Sequence, residues 1–196
     1  TEEDLETGPL AGPGTYKARL IVSNKFFERD FQILNDLRTD ATQHEMDNQF
    51  DLLIKIRDKI SETHQGIIKI RDLDKQVSQC RERVLGLFSD HIVIGLADQI
   101  KVELSDIENE LIQVDYKGAR DRLHRPARLN KKLSELTKVV ATGDYAPTAQ
   151  AYDVFKDLSM RVDEQICKLD LLVSTDVVKM NDQLKQFGLL AVVPMS

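Results

Sequence analysis

The chain has 196 residues and a formal net charge of −6, from 27 Lys and Arg against 33 Asp and Glu, with 41% hydrophobic residues and 6% aromatics. That length holds one domain, or one domain and a fragment of another, and the apolar fraction excludes wholesale disorder. The acidic balance argues against general binding to a phosphate backbone, two cysteines exclude a disulfide-dense scaffold, and no apolar run reaches the roughly 18 residues that span a bilayer.

The opening stretch from Thr1 is acidic and then rich in Gly and Pro, which reads as loop. Without an initiator Met, and with no signal peptide visible, the chain reads as a processed product or a piece of something longer. Tyr16-Lys17-Ala18-Arg19-Leu20-Ile21-Val22 then alternates as a strand, Ser23-Asn24 supplies a tight turn, and Lys25 to Ile33 returns with Phe27, Phe31 and Ile33 on alternate positions. This is the pattern of a β-hairpin. A lone two-stranded hairpin is marginal in water, so it belongs against something or within a larger sheet.

From about Asp40 the period changes to about three and a half. Asp40 or Thr42 is the expected N-cap, with Glu45 completing a capping box. Phe50, Leu53, Ile56, Ile60, Ile67, Ile70, Val77 and Val84 form a heptad-like seam. One helix to about Phe88, continuous through Gly66, would be roughly 70 Å long and would need partners along its length. Ser89-Asp90 is the expected cap of a second helix, in which Val93, Ala97, Ile100, Leu104, Ile107, Leu111 and Val114 recur at alternating spacings of four and three. Residues 115 to 126 break that pattern and read as a connection. A third helix carries Leu129, Leu133, Leu136 and Val140 and stops at Gly143. The last helix opens at Asp144 to Pro147, with Pro147 in its first turn, carries a stripe from Tyr152 to Phe187 that includes Val162, Ile166 and Val173, and stops at Gly188. The apolar tail Leu189 to Val193 is expected to pack on the helices or on a parent domain.

These elements predict a mainly α protein, an antiparallel up-down four-helix bundle with two long helices side by side, preceded by a short β-hairpin. Two regions are expected: residues 1–38, loop and hairpin, and 39–196, the bundle. Segment 90–116 is acidic, 117–138 basic and 144–187 acidic, so neighbouring helices can attract, each exposed pair contributing well under about 1 kcal/mol.

Chemistry is sparse. His44, His64, His91 and His124 stand apart, with no metal-ligand spacing, and read as surface or cap residues. Cys80 and Cys167 have no second thiol or His nearby and read as small buried apolar residues, a cross-helix disulfide depending on register. No phosphate-cradling or nucleophile-elbow motif occurs. No catalytic, cofactor-binding or metal residues are therefore assigned, and no cofactor is expected. The pointed feature is basic: Lys117, Arg120, Arg122, Arg125, Arg128, Lys131 and Lys132. Arg120, Arg122, Arg125, Arg128, Lys131 and Lys132 form a candidate interaction patch for an acidic partner. Pairing with the acidic helices is the competing reading. Apart from Tyr116 no aromatics interleave, so nucleic acid is not the expected partner.

Four stretches together look like one family: Gly12-Pro13-Gly14-Thr15-Tyr16-Lys17-Ala18-Arg19-Leu20, Gln49 to Thr63 (QFDLLIKIRDKISET), Pro126 to Leu133 (PARLNKKL) and Ala146 to Phe155 (APTAQAYDVF). They resemble the C-terminal region of bacterial secreted β-propeller proteins, described as BNR-repeat or sortilin-like glycosyl hydrolases. The family's Asp-Pro-Arg at the strand-to-helix junction is replaced here by Asn35-Asp36-Leu37-Arg38. The resemblance implies a propeller, an immunoglobulin-like β-domain ending in strands of the PGTY form, and a helical bundle. The hairpin would then be the edge of that β-domain. It also implies an extracellular or periplasmic location and a non-catalytic accessory module, scaffolding on its parent or self-associating through helical surfaces; the exposed hairpin edge and the protruding long helices both invite a dimer. The competing expectation is a ligand-sensing extracellular four-helix bundle. An enzyme with dispersed residues ranks third.

Overall fold

The computed structural model describes residues 8–87, 91–114 and 125–193. A hairpin of β1 (Gly14–Val22) and β2 (Lys25–Ile33) precedes α1 (Gln43–Leu87), α2 (Ile92–Leu111), α3 (Leu129–Val140) and α4 (Ala149–Leu172). A π-helical turn, Val173–Val177, continues α4 into α5 (Val178–Gln186), so four helical stretches follow two antiparallel strands and the fold is mainly α. The chain divides into two compact units. One takes the residues up to Asp58 with Glu135–Phe155, the other Lys59–Ser134 with the residues from Lys156 on. No described helix is long and apolar enough to cross a membrane.

In the first unit the hairpin turns where expected. Ser23 and Asn24 adopt φ of 46° and 65°, a two-residue turn with both positions left-handed, which matches the twist of the strands. The register pairs Tyr16 with Phe31 and Leu20 with Phe27, so Tyr16, Ala18, Leu20, Val22, Phe27 and Phe31 share one face. Tyr16 and Phe31 stack at 5.9 Å between ring centroids. On the other face Glu28 holds Arg19 at 2.6 Å and Lys17 at 3.2 Å, and the Arg19 guanidinium lies over the Phe26 ring. Beyond β2, Asp36 opens a turn. Its carboxylate accepts from the Arg38 backbone and guanidinium, and its carbonyl accepts from Thr39 N–H, a turn closed by side-chain bonding and not by proline.

The capping box at α1 forms as the sequence implies. Thr42 N–H donates to the Glu45 carboxylate at 2.8 Å, and Glu45 N–H donates to Thr42 Oγ1 at 3.3 Å. The Thr42 N–H and then the Thr42 hydroxyl, both donating to it, hold the Glu45 carboxyl below its ordinary range. At the far end of α3, Gln49 Nε2 donates to the carbonyls of Val140 and Gly143, satisfying groups that the helix leaves open.

In the second unit the buried stripe of α2 is Val93, Ala97, Ile100, Leu104, Ile107 and Leu111. Val114, placed on that stripe by its spacing, lies beyond the helix and is exposed, because Ile112 leaves the helix with extended φ and ψ. Arg71 meets Glu108, Lys101 meets Ser78 and Arg81 meets Asp98, so α2 runs antiparallel to α1. Lys59 meets Asp163 at 2.7 Å and Lys69 meets Asp170 at 2.9 Å, so the two long helices lie side by side and run in the same direction. Within this unit α2 opposes both.

Gly66 explains how closely the long helices approach. A Cβ there would fall 2.5 Å from Ile166 Cδ1. Glycine costs about 1 kcal/mol against alanine in a helix interior, and here it makes room for that methyl. Gly66→Ala is expected to yield none of this propensity gain by itself. Combined with Ile166→Val, which removes the obstructing methyl, it should raise stability by about 1 kcal/mol over Ile166→Val alone. Urea midpoints of the four proteins in the cycle measure this coupling.

Where α4 begins, the cap is Thr148, whose Oγ1 accepts from Ala151 N–H at 3.2 Å. Pro147 therefore precedes the helix, where the sequence reading had it in the first turn. At the π turn, Ser174 Oγ donates to the carbonyls of Asp170 and Leu171, and Thr175 Oγ1 donates to Leu171 O at 2.8 Å. Hydroxyls that engage these carbonyls compete with regular helical bonding and favour the extra residue of the turn.

Candidate functional site

Of the basic stretch, Arg120 and Arg122 lie outside the described residues, as do Lys117 and His124. Arg125, Arg128, Lys131 and Lys132 are described. Arg128 donates from Nη1 to Glu110 at 3.0 Å, joining the start of α3 to the acidic α2. Among the described residues its buried Nε has no hydrogen-bond partner, nor has Asn130 Oδ1. Pairing with an acidic helix is what the charge pattern offered as the alternative to a binding patch, and Arg128 follows it.

Among the described histidines, His91 is the N-cap of α2. Its Nδ1 accepts from Val93 N–H at 3.2 Å, and its ring meets Phe187 edge-on at 4.5 Å. Ser89-Asp90, the expected cap, lies outside the described residues. His44 pairs with Asn48 on the exposed side of α1. Among the described residues, no group of three His, Cys, Asp or Glu is placed to hold a metal ion.

The cysteines separate by environment. Both are free; Cys80 is buried on α1, and its burial pushes the thiol above its ordinary range. Cys167, expected to be buried, is exposed because its position on α4 lies away from the stripe of Val162 and Leu169. Thiol reagents should therefore modify Cys167 readily in the native protein and Cys80 only on unfolding. Mass spectrometry after brief labelling with iodoacetamide, with and without urea, distinguishes the two; equal native labelling contradicts the placement.

One ion pair between α1 and α2 lowers a carboxyl. Arg81 reaches Asp98 with two hydrogen bonds, at 2.6 and 3.2 Å, and holds that carboxyl below its usual value. A lowered carboxyl contributes stability that is full above the ordinary carboxylate range and is lost as pH falls through the lowered value. The acid side of the Tm profile, below about pH 4, should be shallower in Asp98→Asn than in the unsubstituted chain. Thermal unfolding followed by circular dichroism over that range reads the slope.

The sequence pattern did not reveal a groove between α2 and α4 in the second unit. It has a cavity volume of about 510 Å³ and is lined by Asp106, Ile107, Gln165, Leu172 and Thr175 among others. Gln165 is 8% exposed and lines this groove. A glutamine on an apolar stripe is the one signal in the sequence that pointed there. Comparison of the chain with models of known protein families, with curated protein sequences and with solved structures finds no match.

Proposed function

We propose that this chain is a non-catalytic accessory module that acts by docking. Its reading in full is the C-terminal part of an exported, extracellular or periplasmic β-propeller protein, seated on that parent through the hairpin. One observation carries the reading: the hairpin presents an apolar face with nothing over it. Leu20 is 61% exposed, Phe27 60% and Phe31 46%, and the two strands are the whole sheet among the described residues. Apolar rows of this kind on an uncovered two-stranded sheet mark an interaction surface. The occupant that fits is the remaining strands of an immunoglobulin-like β-domain, because the pattern of Tyr16, Leu20, Phe27 and Phe31 is that of a strand pair half-buried in a larger sheet or sandwich.

The module needs no catalytic constellation for this role. The reading of it as a scaffold fails if the purified chain hydrolyses a glycoside at a rate that a point substitution removes. The reading frame upstream of Thr1 tests the parentage. Propeller repeats followed by immunoglobulin-like strands support it, and an open reading frame with neither overturns it.

A ligand-sensing bundle is the second reading. The α2–α4 groove, lined by the buried Gln165 and by Thr175 and Asp176 of the π-helical turn, favours it, since π turns are frequent at functional sites. A thermal-shift screen with small polar molecules tests it. A hit that Gln165→Leu abolishes supports it, and no shift across the screen overturns it.

A further inference from the structure

The chain folds back on its own helices after α5. Gly188, at φ 66°, ends that helix, with Gly188 N–H donating to Lys185 O at 3.2 Å and Leu189 N–H to Leu184 O at 3.1 Å. The residues that follow form a strap held by two side-chain amides. Asn181 Nδ2 donates to Val192 O and Asn181 Oδ1 accepts from Val192 N–H, both at 2.8 Å. Gln76 Nε2 donates to Val193 O at 2.8 Å, and Gln76 Oε1 accepts from Val193 N–H at 2.9 Å. One amide reaches both polar groups of a residue only where these point the same way, as in extended chain. Consecutive residues then face opposite sides, which is why Val192 is taken by α5 and Val193 by α1. The two side chains stand in for the neighbouring strands of a sheet.

Such a clamp reads backbone and not sequence. Selectivity comes from the seat under Val192, which is 3% exposed, while Leu190 and Val193 point outward. The strap does not fill its surroundings. A cavity of about 640 Å³ runs beside it, lined by Gln76, Gln79, Glu82 and Arg83 with Leu190, Ala191 and Val192. One buried valine and four hydrogen bonds are gains of the same size as the entropy lost in ordering five residues, so the strap is held marginally.

We propose that Gln76, Asn181 and the seat of Val192 form a backbone-reading receptor for an extended aliphatic peptide, occupied in cis by residues 189–193 and open in trans to the same segment of a second copy of this chain. The strap is itself a ligand of the required chemistry, and trans exchange makes the same four hydrogen bonds after a change of course at Gly188. Exchange of an identical element is a low-cost route to a dimer.

The test uses the full chain and a labelled, end-blocked peptide of the sequence of residues 189–193. Val192→Asp expels the strap by placing a carboxylate in a buried seat, and circular dichroism checks that helix content is kept. Fluorescence anisotropy should show the peptide binding to this variant at least about tenfold more tightly than to the unsubstituted chain, where the strap competes at high effective concentration. Adding Gln76→Leu or Asn181→Leu should weaken binding by about tenfold or more. Equal binding to the variant and the unsubstituted chain, or indifference to both amide substitutions, overturns the receptor. Amide exchange in the otherwise unsubstituted protein is a second measurement, needing no expelled strap. Gln76→Leu should speed exchange at Val193 and leave mid-α1 amides unchanged, and an unchanged Val193 rate overturns the clamp. Sedimentation of the unsubstituted chain decides the trans arm. A dimer that free peptide dissolves supports it, and a monomer at all concentrations, or a dimer that resists the peptide, overturns it.

Discussion

Ile100→Asp is expected to abolish the cooperative unfolding transition of the second unit, while Val102→Asp, two residues away on the same helix, leaves it within about 0.5 kcal/mol of its original stability. Ile100 is 0% exposed and belongs to the stripe of Val93, Ala97, Leu104, Ile107 and Leu111, whereas Val102 is 61% exposed. An uncompensated carboxylate at Ile100 loses the apolar burial and adds a desolvation cost of several kcal/mol. That total is comparable to the whole stability of a domain, about 5–15 kcal/mol. Urea unfolding of the two variants, followed by circular dichroism, reads the contrast. Similar midpoints would mean that α2 does not present this face to α1 and α4.

The second large effect concerns docking. Replacing both Leu20 and Phe27 by serine should weaken association with a covering β-domain by a factor on the order of 100 or more, because each side chain contributes about 1.5–3 kcal/mol when fully buried. The pair lies directly across the hairpin, on the face shared with Tyr16 and Phe31. Both are exposed in the chain by itself, so the same double substitution should leave the helical unfolding transition in place. Isothermal titration of each protein with the proposed β-domain, produced separately, measures the first effect, and thermal unfolding the second. Unchanged affinity removes the hairpin from the docking surface, and a lost helical transition gives these residues a structural role.

How legible the fold was depended on whether one residue type could serve only one purpose. The stripe of α2 was readable because each of its buried positions is apolar and the spacing alternates without interruption. Ser23-Asn24 was readable because a two-residue turn between alternating strands leaves few other conformations. Thr63 was passed over in the seam of α1, since a hydroxyl looks out of place in a core. It is fully buried because its Oγ1 donates to Lys59 O one turn back. The last helix was misaligned for a related reason. Its buried residues Leu172 and Val177 are five apart, a spacing set by the π turn, whereas the sequence stripe placed Val173 on that face. The parallel course of α1 and α4 also rests on contacts such as Lys59 with Asp163, whose partners are 104 residues apart and carry no local sign of each other.

Functional features followed the same division. Arg128 could be picked out by charge alone, and its partner Glu110 lies on a helix already marked as acidic. Gln76 and Asn181 had no such mark. Glutamine and asparagine on helices are ordinary surface residues, and only the fold places them on either side of Val192 and Val193. Gln165 is similar, a polar residue whose meaning depends on the groove it faces.

The central proposal is that the hairpin face is covered by further strands of a longer polypeptide. Hydrogen exchange of residues 14–33, compared between this chain and the polypeptide of the complete reading frame, tests it most directly. The account predicts exchange slower by about tenfold or more in the complete polypeptide, with mid-α1 amides alike in both. Equal exchange of the hairpin in the two proteins would contradict it.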